Sequence, residues 1–357
     1  MKKAAFFLFG ITLIISSCTI AQNPYQQKID TATALSIQFL KDQQIPGMSI
    51  SVSHRGKMIW SKGFGYEDLK TKKKVSSNTT QFRVASISKT LTALAMAKLV
   101  DNKKLHFNSS IYEYIPDFPK KKYDFTIKQV AGHIAGIRHY KGMEFLMNKK
   151  MSVVEGLDIF KNDSLLFEPG TNYKYSTYGW NLLSVVVQNA SGEDYIEYMS
   201  NAVFTPLKME QTSLGFSDKK MPNRTSFYVK QNGKVSIAPK VSNEFKAAGG
   251  GFVSTTEDLL RFGNEIINPK IVSKKVLAEM VTSLQTSTGK KTNYGIGIGV
   301  VKLKNNTLRY AHSGGGMGAT AFLLIYPEKD MVIAILTNLS GVNIRKLVGE
   351  LEVVFVK

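Results

Sequence analysis

The sequence predicts an α/β fold of the α+β kind, an antiparallel sheet flanked by helices with a helical lobe inserted into it. Three observations carry that expectation. Residues 48–53 and 57–64 read as two strands that reverse through His54-Arg55-Gly56, where a glycine suits the tight turn. Residues 294–303, 307–311, 319–326 and 331–337 form a second group at hairpin spacing, and strands joined that way are antiparallel neighbours. Between the groups the pattern is mostly helical. The expected lobes are 24–110 together with 225–357, of α/β type, and 111–224, helical. A site belongs in the cleft between them.

The elements follow in chain order. Lys2 and Lys3 precede an apolar run over 4–15, too short to span a bilayer and shaped like a secretory leader. Two readings stay open: a signal peptide over 1–21, ending in Thr19-Ile20-Ala21, or a lipoprotein leader over 1–17. In the second, Ile15-Ser16-Ser17-Cys18 resembles a bacterial lipobox, and Cys18 would carry a lipid anchor. Both readings export the chain, to the periplasm or to a membrane surface. From Pro24 a helical period sets Ile29, Ala32, Leu35 and Phe39 on one face until Ile45-Pro46-Gly47 stops it. Residues 91–100 are apolar on nearly every side and should form a buried helix. Further helices are expected over 180–190, 194–204 and 255–267, the last behind a Ser254/Glu257 capping box.

Composition narrows the function classes. The chain of 357 residues carries 47 Lys+Arg against 27 Asp+Glu, a net charge of +20. Only seven of the cations are arginines, the residue that reads phosphates and base edges bidentately, and the lysines are scattered, so no nucleic-acid partner is expected. Cys18 is the single cysteine, which excludes an internal disulfide, a thiolate nucleophile and a thiolate metal site. The five histidines include no His-Glu-x-x-His pair, and no Walker loop or dinucleotide fingerprint follows a strand. Neither metal nor organic cofactor is expected, and there is no Gly-x-Ser-x-Gly elbow.

Three segments could carry chemistry. Ser86 and Lys89 stand three apart at the start of the buried helix, so they share a face, and the helix N-terminus offers Ser86 a free N–H for an oxyanion. Burial would lower the Lys89 pKa towards a value useful in proton transfer. The same spacing recurs at Ser217/Lys220 and Ser287/Lys290 in loop-like surroundings, and Ser86 could equally be a plain N-cap. Tyr175 lies after Phe167-Glu-Pro-Gly170 and just before a helix; it could act as a base only if cations such as Lys89 stabilise its phenolate. The run from Tyr310 through His312, Ser313, Gly314, Gly315 and Gly316 to Gly318 could offer backbone N–H groups to a ligand, or be a flexible hairpin loop with a surface histidine.

Taken in order, Ser86-x-x-Lys89, Tyr175-Ser-Thr177 and His312-Ser-Gly314 resemble the three motifs of the serine β-lactamase-related family, the class C β-lactamase and penicillin-binding-like hydrolases. Family-like text extends through Ile45-Pro-Gly47, Gly63-Phe-Gly65, residues 249–255 and Tyr326-Pro. Residues 82–89 and 132–140 more closely resemble its mitochondrial β-lactamase-like serine protease branch. The resemblance implies a β-lactamase/transpeptidase-like fold and an acyl-enzyme on Ser86. It further implies that Lys89 and Tyr175 share the proton transfers and that the N–H groups of Ser86 and Gly315 hold the oxyanion. His312, Ser313, Gly314 and Thr177 complete the implied substrate and oxyanion wall.

Two departures bear on the substrate. Thr177 stands where the family often has Asn, a donor to substrate amides, and His312 stands where many β-lactamases have Lys. The expectation is therefore a peptidase or esterase acting on a small-molecule or peptide substrate, with poor β-lactam turnover. The rival is a non-catalytic protein that binds peptidoglycan or peptides on the same scaffold.

Overall fold

The computed structural model describes residues 23–357; the expected cleavage after Ala21 and lipidation of Cys18 lie outside the described residues. Seven strands form the main sheet: β1 (Gly47–His54), β2 (Lys57–Asp68), β3 (Lys73–Lys74), β9 (Gly299–Lys302), β10 (Leu308–Gly316), β11 (Ala319–Tyr326) and β12 (Met331–Thr337). Between them in the chain lie β4 (Phe82–Arg83), β5 (Ser213–Leu214) and β8 (Phe252–Ser254), which make a small sheet, and the hairpin of β6 (Tyr228–Gln231) with β7 (Lys234–Ile237). The main sheet runs β3-β2-β1-β12-β11-β10-β9 and is antiparallel throughout, so the two ends of the chain meet where β1 pairs with β12. The β1–β2 reversal uses Arg55 at φ 51° and Gly56 at φ 71°, the left-handed pair that a two-residue hairpin turn needs.

Among the described residues eight α-helices surround these strands: α1 (Gln26–Gln43), α2 (Ile87–Asp101), α3 (Ile127–Ala131), α4 (Thr177–Ser191), α5 (Tyr195–Met199), α6 (Thr256–Ile267), α7 (Lys274–Met280) and α8 (Arg345–Phe355). Strand alternation divides the core. Met331, Ile333 and Ile335 of β12 pack with Ala32 and Phe39 of α1 and Leu347 and Leu351 of α8, whereas Val332, Ala334 and Leu336 face Leu259 and Phe262 of α6. Helix α2 is buried all round, as expected, and packs against α4 and α7.

Several expectations change in detail. The buried face of α1 is Ala32, Ser36 and Phe39, with Ile29 and Leu35 half-buried, because only that stripe meets the sheet and α8. The expected strand from residue 294 begins only at Gly299. Residues 294–298 fold over α2 instead, where Gly297 at φ 73° accepts a hydrogen bond from Thr90 Oγ1 at 2.6 Å and approaches Trp180 too closely for a side chain. The cap of α6 is Thr255, whose side chain accepts from the Asp258 N–H, and not Ser254 paired with Glu257. Helical character over 194–204 survives as α5 followed by a wide π turn over Ser200–Phe204. The glycine-rich run is no loop: β10 continues through Gly316, every residue from Tyr310 onward paired with β11.

Candidate active site

Ser86 is presented by a forced turn. The chain leaves β4, the Val84 N–H bonds to Phe252 O at 3.1 Å, and Ala85 takes φ 46°, a left-handed conformation that strains an alanine by about 1–2 kcal/mol. Ser86 then caps α2 with its backbone only. Its side chain makes no cap bond, and its N–H has no acceptor in the fold among the described residues. The plain N-cap alternative is thereby set aside: both the hydroxyl and the N–H of Ser86 are left for other work.

Lys89 lies one turn on and is wholly buried. Its Nζ is 3.1 Å from Ser86 Oγ, 3.3 Å from Thr177 Oγ1 and 2.5 Å from Gly249 O. Among the described residues no carboxylate offsets the burial, and Lys246 adds repulsion, so the Lys89 pKa falls well below 10.5. A neutral amine has two N–H groups and one lone pair. The Gly249 carbonyl and Thr177 hydroxyl can take the former, which leaves the lone pair to accept from the Ser86 hydroxyl.

Tyr175 is set by the N-terminus of α4, where Ser176 caps Gly179 N–H at 3.0 Å. Two histidines fix this stretch. His133 Nδ1 accepts from the Ser176 N–H and His139 Nδ1 from the Thr177 N–H, each at 3.1 Å, and both rings lie against Tyr175. Burial keeps them neutral, His133 far below its usual value and His139 down at about 4. Burial also pushes the Tyr175 phenol above 10, against the smaller opposing effect of a hydrogen bond with Ser86. Lys89 Nζ is 5.0 Å from the Tyr175 ring centre, yet no phenolate is favoured.

The third motif is built on an open edge. β9 pairs only with Leu308–Ala311, so the glycine-rich half of β10 keeps its outer edge free beside Ser86. Gly315 and Gly316 line the pocket, and Gly314 presses against Val84. His312 does not face substrate. It is buried, its Nε2 accepts from the Tyr294 hydroxyl at 2.8 Å, its Nδ1–H donates to Ser313 O at 2.7 Å, and burial lowers its pKa to about 3. The surface-histidine alternative is overturned, and the ring belongs to the wall behind the site. Ser313 is exposed and outside the pocket lining. Ser217, of the second Ser-x-x-Lys match, sits in a loop with its N–H and hydroxyl both taken by Glu244; Ser287, of the third, lies in another loop.

Ser86, Tyr175, Thr177, Gly249 and Gly315 thus open onto one pocket of about 250 Å³. Arg83, His139, Asn243 and Lys246 line it too, and sequence reasoning gave none of them a role. Arg83 and His139 had entered only as part of the runs 82–89 and 132–140 that carry the family resemblance; nothing in the spacing of either marks where its side chain points. Among the described residues no group of three His, Cys, Asp or Glu side chains is placed to hold a metal.

Fold and site define a serine hydrolase of the β-lactamase type. The β-lactamase family model matches residues 32–348, and the chain belongs to that family. The human mitochondrial serine β-lactamase-like protein LACTB is 28% identical, over 93% of this chain and 80% of its own length. Among solved structures, the D-amino acid amidase of Ochrobactrum anthropi SV3 superimposes with a TM-score of 0.80 at 18% identity, over 92% of this chain and 98% of its own. EstCE1, a hydrolase with promiscuous acyltransferase activity, gives 0.79 at 19% identity, over 92% and 99%. At such identities these two likenesses speak for the fold alone.

Proposed function

We propose that the chain is an exported serine hydrolase that cleaves an amide or ester bond through an acyl-enzyme on Ser86, working in the crevice between an α/β lobe (24–110 with 225–357) and a helical lobe (111–224). The observation that carries this reading is the Lys89 amine, buried without a counter-ion and in contact with Ser86 Oγ. Ser86 Oγ bonds to the substrate carbonyl carbon as its proton passes to Lys89 Nζ, and the N–H groups of Ser86 and Gly315 receive the oxyanion. The bond to the leaving amine or alkoxide then breaks. Tyr175, a neutral phenol, gives that group a proton and regains one from the Lys89 ammonium. Water reverses these steps and releases the acid.

Between the two candidate bases the site favours Lys89, because burial depresses an amine's pKa and raises a phenol's. The enclosed, neutral His312 supports a peptidase or esterase over an efficient β-lactamase, since it offers no cation to a β-lactam carboxylate. Export rests on Lys2, Lys3 and the apolar run after them, with a lipid on Cys18 as its membrane-anchored form. A fluorophosphonate probe and a panel of nitrophenyl esters, D- and L-peptides and nitrocefin, run beside Ser86→Ala, test the proposal. Labelling and turnover that vanish in Ser86→Ala are expected. Ligand binding with no Ser86-dependent chemistry would instead support a peptidoglycan- or peptide-binding protein.

A further inference from the structure

We infer that the substrate carries a carboxylate and that Arg83 and Lys246, which line the same pocket as Ser86 and Tyr175, receive it. This specificity site rests on the hydrolase reading but on different residues. Arg83 is buried, stacked 3.9 Å from the Phe227 ring centre, and makes a single side-chain hydrogen bond among the described residues, from Nη1 to Met317 O at 2.6 Å. Met317 directly follows the pocket-lining Gly315 and Gly316, so the guanidinium is tied to the strand that offers the oxyanion donor. Lys246 is buried too, and its Nζ donates only to Phe145 O, at 3.2 Å.

Neither cation has an ion-pair partner among the described residues. The one carboxylate nearby, Glu244, is engaged elsewhere: Oε1 accepts from the N–H and hydroxyl of Ser217, and Oε2 from the hydroxyl of Ser242. Arg224 adds a third positive charge close to Arg83. Buried like charges raise each other's energy, and here Lys246 is pushed down to about 8 and Arg83 to about 10, chiefly by burial and then by neighbouring cations, against a smaller opposing pull from the Glu244 charge. A carboxylate entering between them would replace lost hydration and relieve that repulsion, with the planar guanidinium suited to bidentate contact. His312, whose two nitrogens are both occupied by the protein, cannot do this. The pocket is small, so the carboxylate must lie only a few bonds from the scissile carbonyl.

Two matched ester pairs provide the test: mono-4-nitrophenyl glutarate against 4-nitrophenyl valerate places the acid on the acyl side, and 3-carboxyphenyl butyrate against 3-carbamoylphenyl butyrate places it on the leaving group. The native chain should prefer the acid in at least one pair by tenfold or more in kcat/KM. In Lys246→Met and Arg83→Met the ratio within that pair should fall towards one, and Lys246→Arg should restore it; a ratio cancels any loss of folded protein. Titration with glutarate, read by calorimetry on native, Ser86→Ala and Lys246→Met chains, separates the two readings. Glutarate binding that survives Ser86→Ala and weakens tenfold in Lys246→Met sustains the anion site even if no ester is turned over. Ester turnover with ratios near one in both pairs and no glutarate binding overturns it.

Discussion

Gly314→Ala should slow the chemical step more than it weakens substrate binding. A Cβ at Gly314 would stand 2.3 Å from Val84 O, 3.1 Å from Ala321 Cβ and 3.2 Å from Ala85 Cβ, so β10 or the Val84-Ala85 turn must yield by about 0.7 Å to reach tolerable contact. β10 cannot retreat, because Gly314 is paired with Ala321 of the central sheet. The displacement therefore falls on the turn that holds Ser86, and parts its N–H from that of Gly315. A 1 Å misplacement costs on the order of 100-fold, so a loss of roughly 10- to 100-fold in kcat is expected, with KM little changed because the oxyanion contacts mature in the transition state. Overpacking should also cost about 1–3 kcal/mol, a drop of a few degrees in Tm. Steady-state ester hydrolysis and thermal melts of native and variant decide the matter. A variant that keeps native kcat, whether or not its Tm falls, would refute the claim that β10 and the nucleophile turn are mechanically joined.

Other outcomes follow from the same site. The pH profile of kcat/KM should rise as Lys89 loses its proton, with a midpoint well below 10.5, and Tyr175→Phe should keep that limb while losing about 100-fold or more in rate; a limb near 10 that disappears in Tyr175→Phe would make the phenolate the base. His312 titrates near 3 in the fold and near 6.5 when unfolded, so the unfolded chain binds more protons between those values and stability falls as pH drops through that window. From pH 7 to pH 5 this group alone should account for about 2 kcal/mol, and urea unfolding should show His312→Gln losing that much less than the native chain. Gly349 lies inside α8 with open space around its position, so Gly349→Ala should gain about 0.5–1 kcal/mol, and an unchanged or lowered Tm would contradict that reading.

Much of this was legible because the signals are local. The bounds of β11 and β12 follow the expected runs over 319–326 and 331–337, whose apolar residues fill both faces of a central sheet. The segment 294–298 misled for the same local reason: its apolar residues are buried, but against α2 and Trp180, and a left-handed Gly297 breaks any strand. The glycine-rich run misled in the other direction. Glycines weaken a strand in isolation, yet here their missing side chains let β10 lie against Val84.

Sequence by itself determined the nucleophile candidate and its neighbours, since Ser86 and Lys89 are one helical turn apart and that spacing needs no tertiary contact to bring them together. Tertiary structure alone decided the protonation states and which further side chains line the pocket. Whether Lys89 is neutral depends on the absence of a carboxylate around it among the described residues, and whether Arg83, His139 and Lys246 face one pocket depends on three separate chain segments brought together by the fold. Charge and desolvation are set by every group within a few ångströms, whatever its place in the chain, and one-dimensional spacing does not encode that neighbourhood.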